Sequence, residues 1–179
     1  MKFFIGIVPP LTTKERIFEF QKSFPSNKVP YFHEPHITLK APTGLTEDKM
    51  WLAKLIVLIG NYKRFQITLD GFDNFDDRAF FLKLSFSQEL IDLHMKLVDL
   101  LSPDFVVNQF YEGPLYHPHL TLGETTWGCM NKEDIYLMRK RAEFELYKIP
   151  PFQVDFVRVF QKDKDGEPYR KFVDIPLKI

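Results

Sequence analysis

The sequence has few of the residues that would cross-link it, anchor it or give it a strong field. Only one of its 179 residues is cysteine, Cys129, so no disulfide can form within the chain, and a reducing compartment is the expectation. The eight glycines are scattered. Gly44, Gly60, Gly71 and Gly123 build no glycine-rich loop, and without a Walker or dinucleotide fingerprint nucleoside triphosphate hydrolysis is disfavoured. Neither sign of charge is in excess: Lys+Arg and Asp+Glu are both 24, for a formal net charge of zero. A chain without net charge has no field to hold long nucleic acid nonspecifically, so a nucleic-acid ligand has to be small or locally held. No apolar run approaches the roughly 18 residues of a membrane span. Leu52 to Ile59 is interrupted by Lys54, and Phe3 to Val8 is too short for a signal peptide and lacks a small-residue cleavage site. A soluble cytoplasmic protein is expected.

What the chain does have is apolar and aromatic mass, 45% hydrophobic residues with 19 Phe, enough for a sizeable core. Phe3–Val8 reads as an opening strand ended by Pro9-Pro10. Thr12-Thr13-Lys14-Glu15 offers a capping box for a helix to about Phe24. After Pro42 and Gly44, Thr46-Glu47-Asp48 opens a second helix through Trp51, Leu55 and Leu58 to about Gly60-Asn61. Phe65–Phe72 and Ala79–Ser85 read as a hairpin around Asp73-Asn74 and Asp76-Asp77. Ser87 caps a third helix to about Leu101, stopped by Ser102-Pro103, and a loop-rich stretch runs from Phe105 to Tyr116. Asn131 caps a long helix to about Tyr147, and Phe152–Phe160 and Tyr169–Leu177 flank the turn Asp163-Lys164-Asp165-Gly166.

Within this order one unit is written twice. His36-Ile37-Thr38-Leu39 follows Pro35, and His119-Leu120-Thr121-Leu122 follows Pro118. Each is followed by a helix and a hairpin. Phe65-Gln66-Ile67 begins 29 residues after His36, and Phe152-Gln153-Val154 begins 33 after His119. The repeat predicts an α+β fold: one bilobal domain over residues 1–179, a pseudo-twofold duplication with two mainly antiparallel sheets, outer helices and a central cleft.

Alternation is the period of a strand, so histidine and threonine share one face in each motif. Two imidazoles meeting in a cleft suit in-line phosphate chemistry. One takes a proton from the nucleophile and the other gives one to the leaving oxygen, which an ordinary pKa of about 6.5 permits near neutrality. Thr38 and Thr121 then offer hydroxyls to the non-bridging oxygens. No metal or other cofactor is needed. Lys40 continues the same face and is a possible ligand-binding cation, with a solvated strand-end lysine as the plain alternative. Gly123 takes its place in the second copy and leaves backbone open to a ligand.

These motifs resemble those of the two-histidine (2H) phosphoesterase superfamily, bacterial RNA 2′,3′-cyclic phosphodiesterases and 2′-5′ RNA ligase-like proteins, over nearly the whole chain. The resemblance implies a 2′,3′-cyclic phosphodiesterase-like hydrolase with His36 and His119 as the proton-transfer pair and Thr38 and Thr121 as phosphate holders. It implies as partner a nucleotide or RNA terminus bearing a cyclic phosphate or a 2′-5′ linkage, and a monomer free of membranes. After the first motif the chain departs from the commonest RNA phosphodiesterase pattern, an aromatic-Leu-Gly stretch. It reads Lys40-Ala41-Pro42-Thr43-Gly44, and there is similar to a Bacillus-type subgroup.

Other readings compete. His33, His36, His117 and His119 form a four-imidazole candidate for zinc, disfavoured because His33 has the wrong parity and no Cys or well-spaced carboxylate joins them. Glu34 and Glu124 are expected at the rim, and His94 on a helix surface or interface. Tyr31, Phe32, Tyr111 and Tyr116 offer rings to a nucleobase, although core or rim packing is the simpler role. A binding module on the same fold, holding a nucleotide or RNA end without turnover, is the alternative to an enzyme.

Overall fold

The computed structural model describes residues 1–76, 78–102, 112–126 and 129–179. β1 (Lys2–Ile7) leads into α1 (Leu11–Lys22) and the single turn α2 (Val29–Phe32), followed by β2 (Ile37–Lys40) and α3 (Trp51–Gly60). β3 (Phe65–Ile67), β4 (Leu69–Phe75) and β5 (Ala79–Leu84) precede α4 (Gln88–Leu101) and a 3-10 turn at Gly113–Leu115. β6 (His119–Glu124), α5 (Lys132–Glu145), β7 (Phe152–Val154), β8 (Phe156–Lys162) and β9 (Arg170–Pro176) complete the fold.

The α+β architecture has two unequal sheets. Seven strands form one antiparallel sheet in the order β4-β5-β6-β2-β1-β8-β9, and β3 pairs with β7 alone. The expected first hairpin is thus divided at Thr68, its opening segment leaving the large sheet. The duplication is visible in the pairing. Gln66 lies opposite Gln153 at the centre of the small sheet, with Phe65 opposite Val154 and Ile67 opposite Phe152. In the large sheet the hairpin of the first copy, β4-β5, extends from the second motif strand, β6. The second hairpin, β8-β9, joins β1, which pairs with the first motif strand. The halves are therefore interlocked, and they join where β2 meets β6 at the single register pair Ile37–Leu120.

Parity does what the sequence predicts: Ile37, Leu39, Leu120 and Leu122 are buried in the core, while His36, Thr38, His119 and Thr121 are half-buried on the other face. The Ser87 and Asn131 caps form as read, accepting from Leu90 N and Asp134 N, as oxygen side chains at N-caps do. Two helix starts differ. α1 begins at Leu11 with Pro10 at its N-cap and no side-chain cap, so Thr12 lies inside the helix and exposed rather than at its cap. α3 begins only at Trp51: Lys49 adopts φ 58°, and Asp48 receives Thr46 Oγ1 at 2.6 Å and Met50 N at 3.1 Å in a turn. Among the described residues no helix is long and apolar enough to cross a membrane.

Candidate active site

The join between the halves sets out the four motif side chains. Extended one residue either way, the antiparallel register places Thr38 opposite His119 and His36 opposite Thr121. The histidines are then diagonal neighbours on one face, where side chains in a sheet lie about 7–8 Å apart at their roots and their tips can reach a common ligand. The charge of His119 bears on His36.

Each histidine is held in the same way. His36 Nδ1 lies 2.8 Å from Glu34 O, and His119 Nδ1 lies 2.8 Å from His117 O. A carbonyl only accepts, so Nδ1 carries the proton in both rings and Nε2 is the atom left for proton transfer. Each ring also backs onto a phenylalanine pair. Phe4 and Phe160, stacked at 4.3 Å, flank His36 at 4.7 and 5.3 Å. Phe75 and Phe81, 4.5 Å apart, flank His119 at 5.0 and 4.9 Å. Gly6 makes room on the first side: a Cβ there would sit 3.0 Å from Ile37 O and 3.3 Å from His36 Cδ2.

This apolar backing disfavours the charged imidazole. Burial, reinforced by His33 and His119, pushes His36 down to about 3. Burial also lowers His119, against the opposing hydrogen bond to the His117 carbonyl. Both rings are neutral near pH 7 in the free protein, so the ring that acts as acid has to gain its proton with an anionic ligand. Ordinary imidazole behaviour, expected from the sequence, gives way here to desolvation.

Beyond Ile37 and Leu120, side chains supply donors to the backbone of both motif strands. Tyr116 Oη donates to Thr38 O at 2.7 Å, and Gln21 Nε2 to Thr121 O at 2.9 Å. His94 Nδ1 donates to Leu39 O at 2.7 Å, and Asn27 Nδ2 to Leu122 O at 2.9 Å. Matching carbonyls are thus satisfied in both copies by unrelated residues, which holds the threonines in place where the strand ladder does not continue.

Lys40 is not a cleft cation, nor is it solvated. Its side chain is fully buried, 2.9 Å from Glu112 Oε1, and its ammonium also donates to Ala41 O and Thr43 O. Glu112 receives Ala41 N at 2.8 Å as well. Parity puts Lys40 on the predicted face, but the segment at Glu112 covers it. Gly123 offers no open backbone either: a Cβ there would fall 2.5 Å from Met130 Sδ and 2.8 Å from Met138 Sδ. His94, expected on a surface, is buried, stacks on Tyr116 at 3.7 Å and accepts from Gly113 N at 2.8 Å. Glu34 is clamped by Lys14 at 2.6 Å and by Arg158, which also grips Asp174. Tyr31 is exposed, and Tyr111 lies outside the described residues. His33 packs 4.7 Å from His36, because α2 bends the chain before the strand and strand parity does not apply there. Among the described residues no three His, Cys, Asp or Glu side chains cluster to hold a metal.

Two recesses flank the motif strands. One, of about 80 Å³, is lined by Thr38, His119, His117, Tyr116, Glu112 and His94 among others. The other, of about 380 Å³, is lined by Thr121, His33, Phe32, Tyr169, Lys162 and Glu124 among others.

Known proteins of this shape exist. TT0787 of Thermus thermophilus superposes with a TM-score of 0.67 at 17% identity, over 99% of this chain and 98% of that one. LigT of E. coli, complexed with 3′-AMP, gives 0.62 at 18% identity over 99% and 98%. Usb1 of Kluyveromyces marxianus gives 0.51 at 13% over 98% and 97%. At these identities the likeness is one of fold. No curated protein matches the sequence. The model of the 2′-5′ RNA ligase superfamily, however, matches residues 9–166. With most of its length under that match, the chain belongs to the 2′-5′ RNA ligase superfamily.

Proposed function

We propose that the protein is a metal-independent phosphoesterase acting on a cyclic phosphate or 2′-5′ phosphodiester of a nucleotide or RNA end. His36 and His119 transfer the protons, and Thr38 and Thr121 hold the non-bridging oxygens. The observation that carries this reading is the matched pair of imidazoles, each with Nδ1–H on the carbonyl two residues before it and Nε2 left free. In the reaction one Nε2 takes a proton from water as its oxygen attacks phosphorus. The bond from phosphorus to the leaving oxygen breaks, and the other imidazolium protonates that oxygen. With the register extended from Ile37–Leu120, each threonine comes opposite the histidine of the other strand, where its hydroxyl can donate to an oxygen as charge builds.

Family membership supports the reaction class, and solved structures of LigT, complexed with phosphate and with 3′-AMP, support a nucleotide-sized ligand. Hydrolysis of a 2′,3′-cyclic nucleotide by the wild type, unchanged by EDTA and lost in His36→Ala, tests the reading. Activity that EDTA abolishes and zinc restores would replace it with a metal mechanism.

A further inference from the structure

The two recesses are built in part from equivalent positions of the repeat. The interval of 83 residues that relates His36 to His119 also relates Thr38 to Thr121, Ala41 to Glu124, Val29 to Glu112 and His33 to Tyr116. The interval relating Phe65 to Phe152 relates Phe75 to Lys162. These lining positions are thus occupied in pairs, yet the volumes differ, about 80 Å³ beside Thr38 and about 380 Å³ beside Thr121. The first has room for several waters, at the roughly 10–15 Å³ of such space that one water needs. The second is within the range of small-ligand sites, about 300–1,000 Å³.

The difference has an identifiable cause. Where the open recess has Val29, the small one has Glu112, drawn in by the buried Lys40 ammonium and Ala41 N. Where the open recess has His33, the small one has Tyr116, stacked on His94 with its hydroxyl satisfied by Thr38 O. Lys40 and Ala41, in the stretch that sets this sequence apart from the commonest family pattern, are the residues that hold Glu112 on the Thr38 side.

The open recess carries the opposite signs. His33 stands where the small recess has the bulkier Tyr116 and puts an imidazole on the wall. Phe32 and Tyr169 offer rings, and Lys162 replaces Phe75 with a cation, its ammonium 4.8 Å over the Tyr169 ring.

We propose that the recess beside Thr121 is the nucleoside subsite, taking the base and ribose of a nucleotide whose phosphate lies between the imidazoles, while the recess beside Thr38 admits only water. This rests on the phosphoesterase reading above and gives it a direction. Water enters on the side lined by His119, so His119 Nε2 takes the water proton as the new P–O bond forms. The ribose oxygen leaves toward the side of His33 and His36, taking the bonding pair and a proton from His36.

Calorimetric titration of the full chain with inorganic phosphate and with adenosine and uridine 2′-monophosphates tests the assignment. The wild type is expected to bind both nucleotides at least about tenfold tighter than phosphate. Glu167→Trp, an exposed position lining the open recess, should reduce that advantage to under about threefold, and His33→Phe should reduce it in part. Leu115→Trp, exposed beside Tyr116 on the other side, should leave it intact. Equal binding of phosphate and nucleotides by the wild type, or loss of the advantage in Leu115→Trp but not Glu167→Trp, would overturn the subsite. Turnover is read separately: nucleotide binding with this pattern but no hydrolysis of any cyclic phosphate would refute the phosphoesterase reading and leave the subsite standing.

Discussion

The Lys40 ammonium lies 2.9 Å from a Glu112 carboxylate oxygen in a site closed to water. Burial lowers the Lys40 pKa, and the hydrogen bond and charge of Glu112 oppose that shift. Removing one partner strands a buried charge. Lys40→Met or Glu112→Gln should each destabilise the fold by about 3–5 kcal/mol, whereas the double change Lys40→Met/Glu112→Leu should cost much less. Urea unfolding of the three variants measures this. A double variant as unstable as the sum of the singles would show that the pair is not coupled.

Stability should fall on the acid side through the buried imidazoles. His36 is lowered to about 3 and His33 to about 4, from an ordinary 6.5. Between those values the unfolded chain binds more protons than the folded one. Their contribution is therefore complete above about pH 6.5 and is lost as pH falls, by up to about 1.4 kcal/mol per pH unit for each ring. Unfolding midpoints between pH 7 and 4.5 should decline less steeply in His36→Asn and in His33→Phe than in the wild type. Parallel curves would mean that these rings titrate normally.

Catalysis should carry the same signature. With both imidazoles neutral near pH 7, kcat/KM for a cyclic nucleotide should form a bell with its optimum below neutrality, since kcat/KM follows the ionisations of the free enzyme, where the acid's proton grows scarce as pH rises. If water enters beside His119, His119→Ala should flatten the acidic limb of the residual activity and His36→Ala the alkaline limb. The opposite assignment of limbs would reverse the direction of attack.

Gly6 gives a test of positioning without touching a titrating group. Gly6→Ala brings a methyl within 3.3 Å of His36 Cδ2 and 3.0 Å of Ile37 O, so His36 has to shift. The rate should fall by up to about tenfold, since the ring gives by only a fraction of the ~1 Å misplacement that costs about 100-fold, while the far-ultraviolet circular dichroism stays that of the wild type. An unchanged rate would show that His36 needs no such clearance.

The motif face and the duplication were legible because a period of two fixes which side chains share a face. The same rule places Lys40 with His36 and Thr38 but says nothing about what covers that face, and Glu112 lies in a loop-rich segment without periodicity. His94 was readable in principle: it falls on the apolar stripe of α4 with Leu90, Leu93, Leu97 and Leu101, where a histidine is buried and needs partners. The lowered imidazole pKa values depend on Phe4, Phe160, Phe75 and Phe81, four rings on four strands that only the tertiary fold brings to the histidines. Gln21 and Asn27 had no sequence signal, because the carbonyls they serve are defined by the meeting of β2 and β6.

Two histidines acting in one step on a phosphodiester leave a kinetic signature. Steady-state hydrolysis of a 2′,3′-cyclic nucleotide by the wild type, His36→Ala, His119→Ala and the double variant measures it directly. Each single change should cost on the order of 10²–10⁴ in rate, and the double change little more than the worse single one, because the residues work as a unit. A His119→Ala or His36→Ala protein that turns over the substrate at the wild-type rate would rule out a two-histidine mechanism.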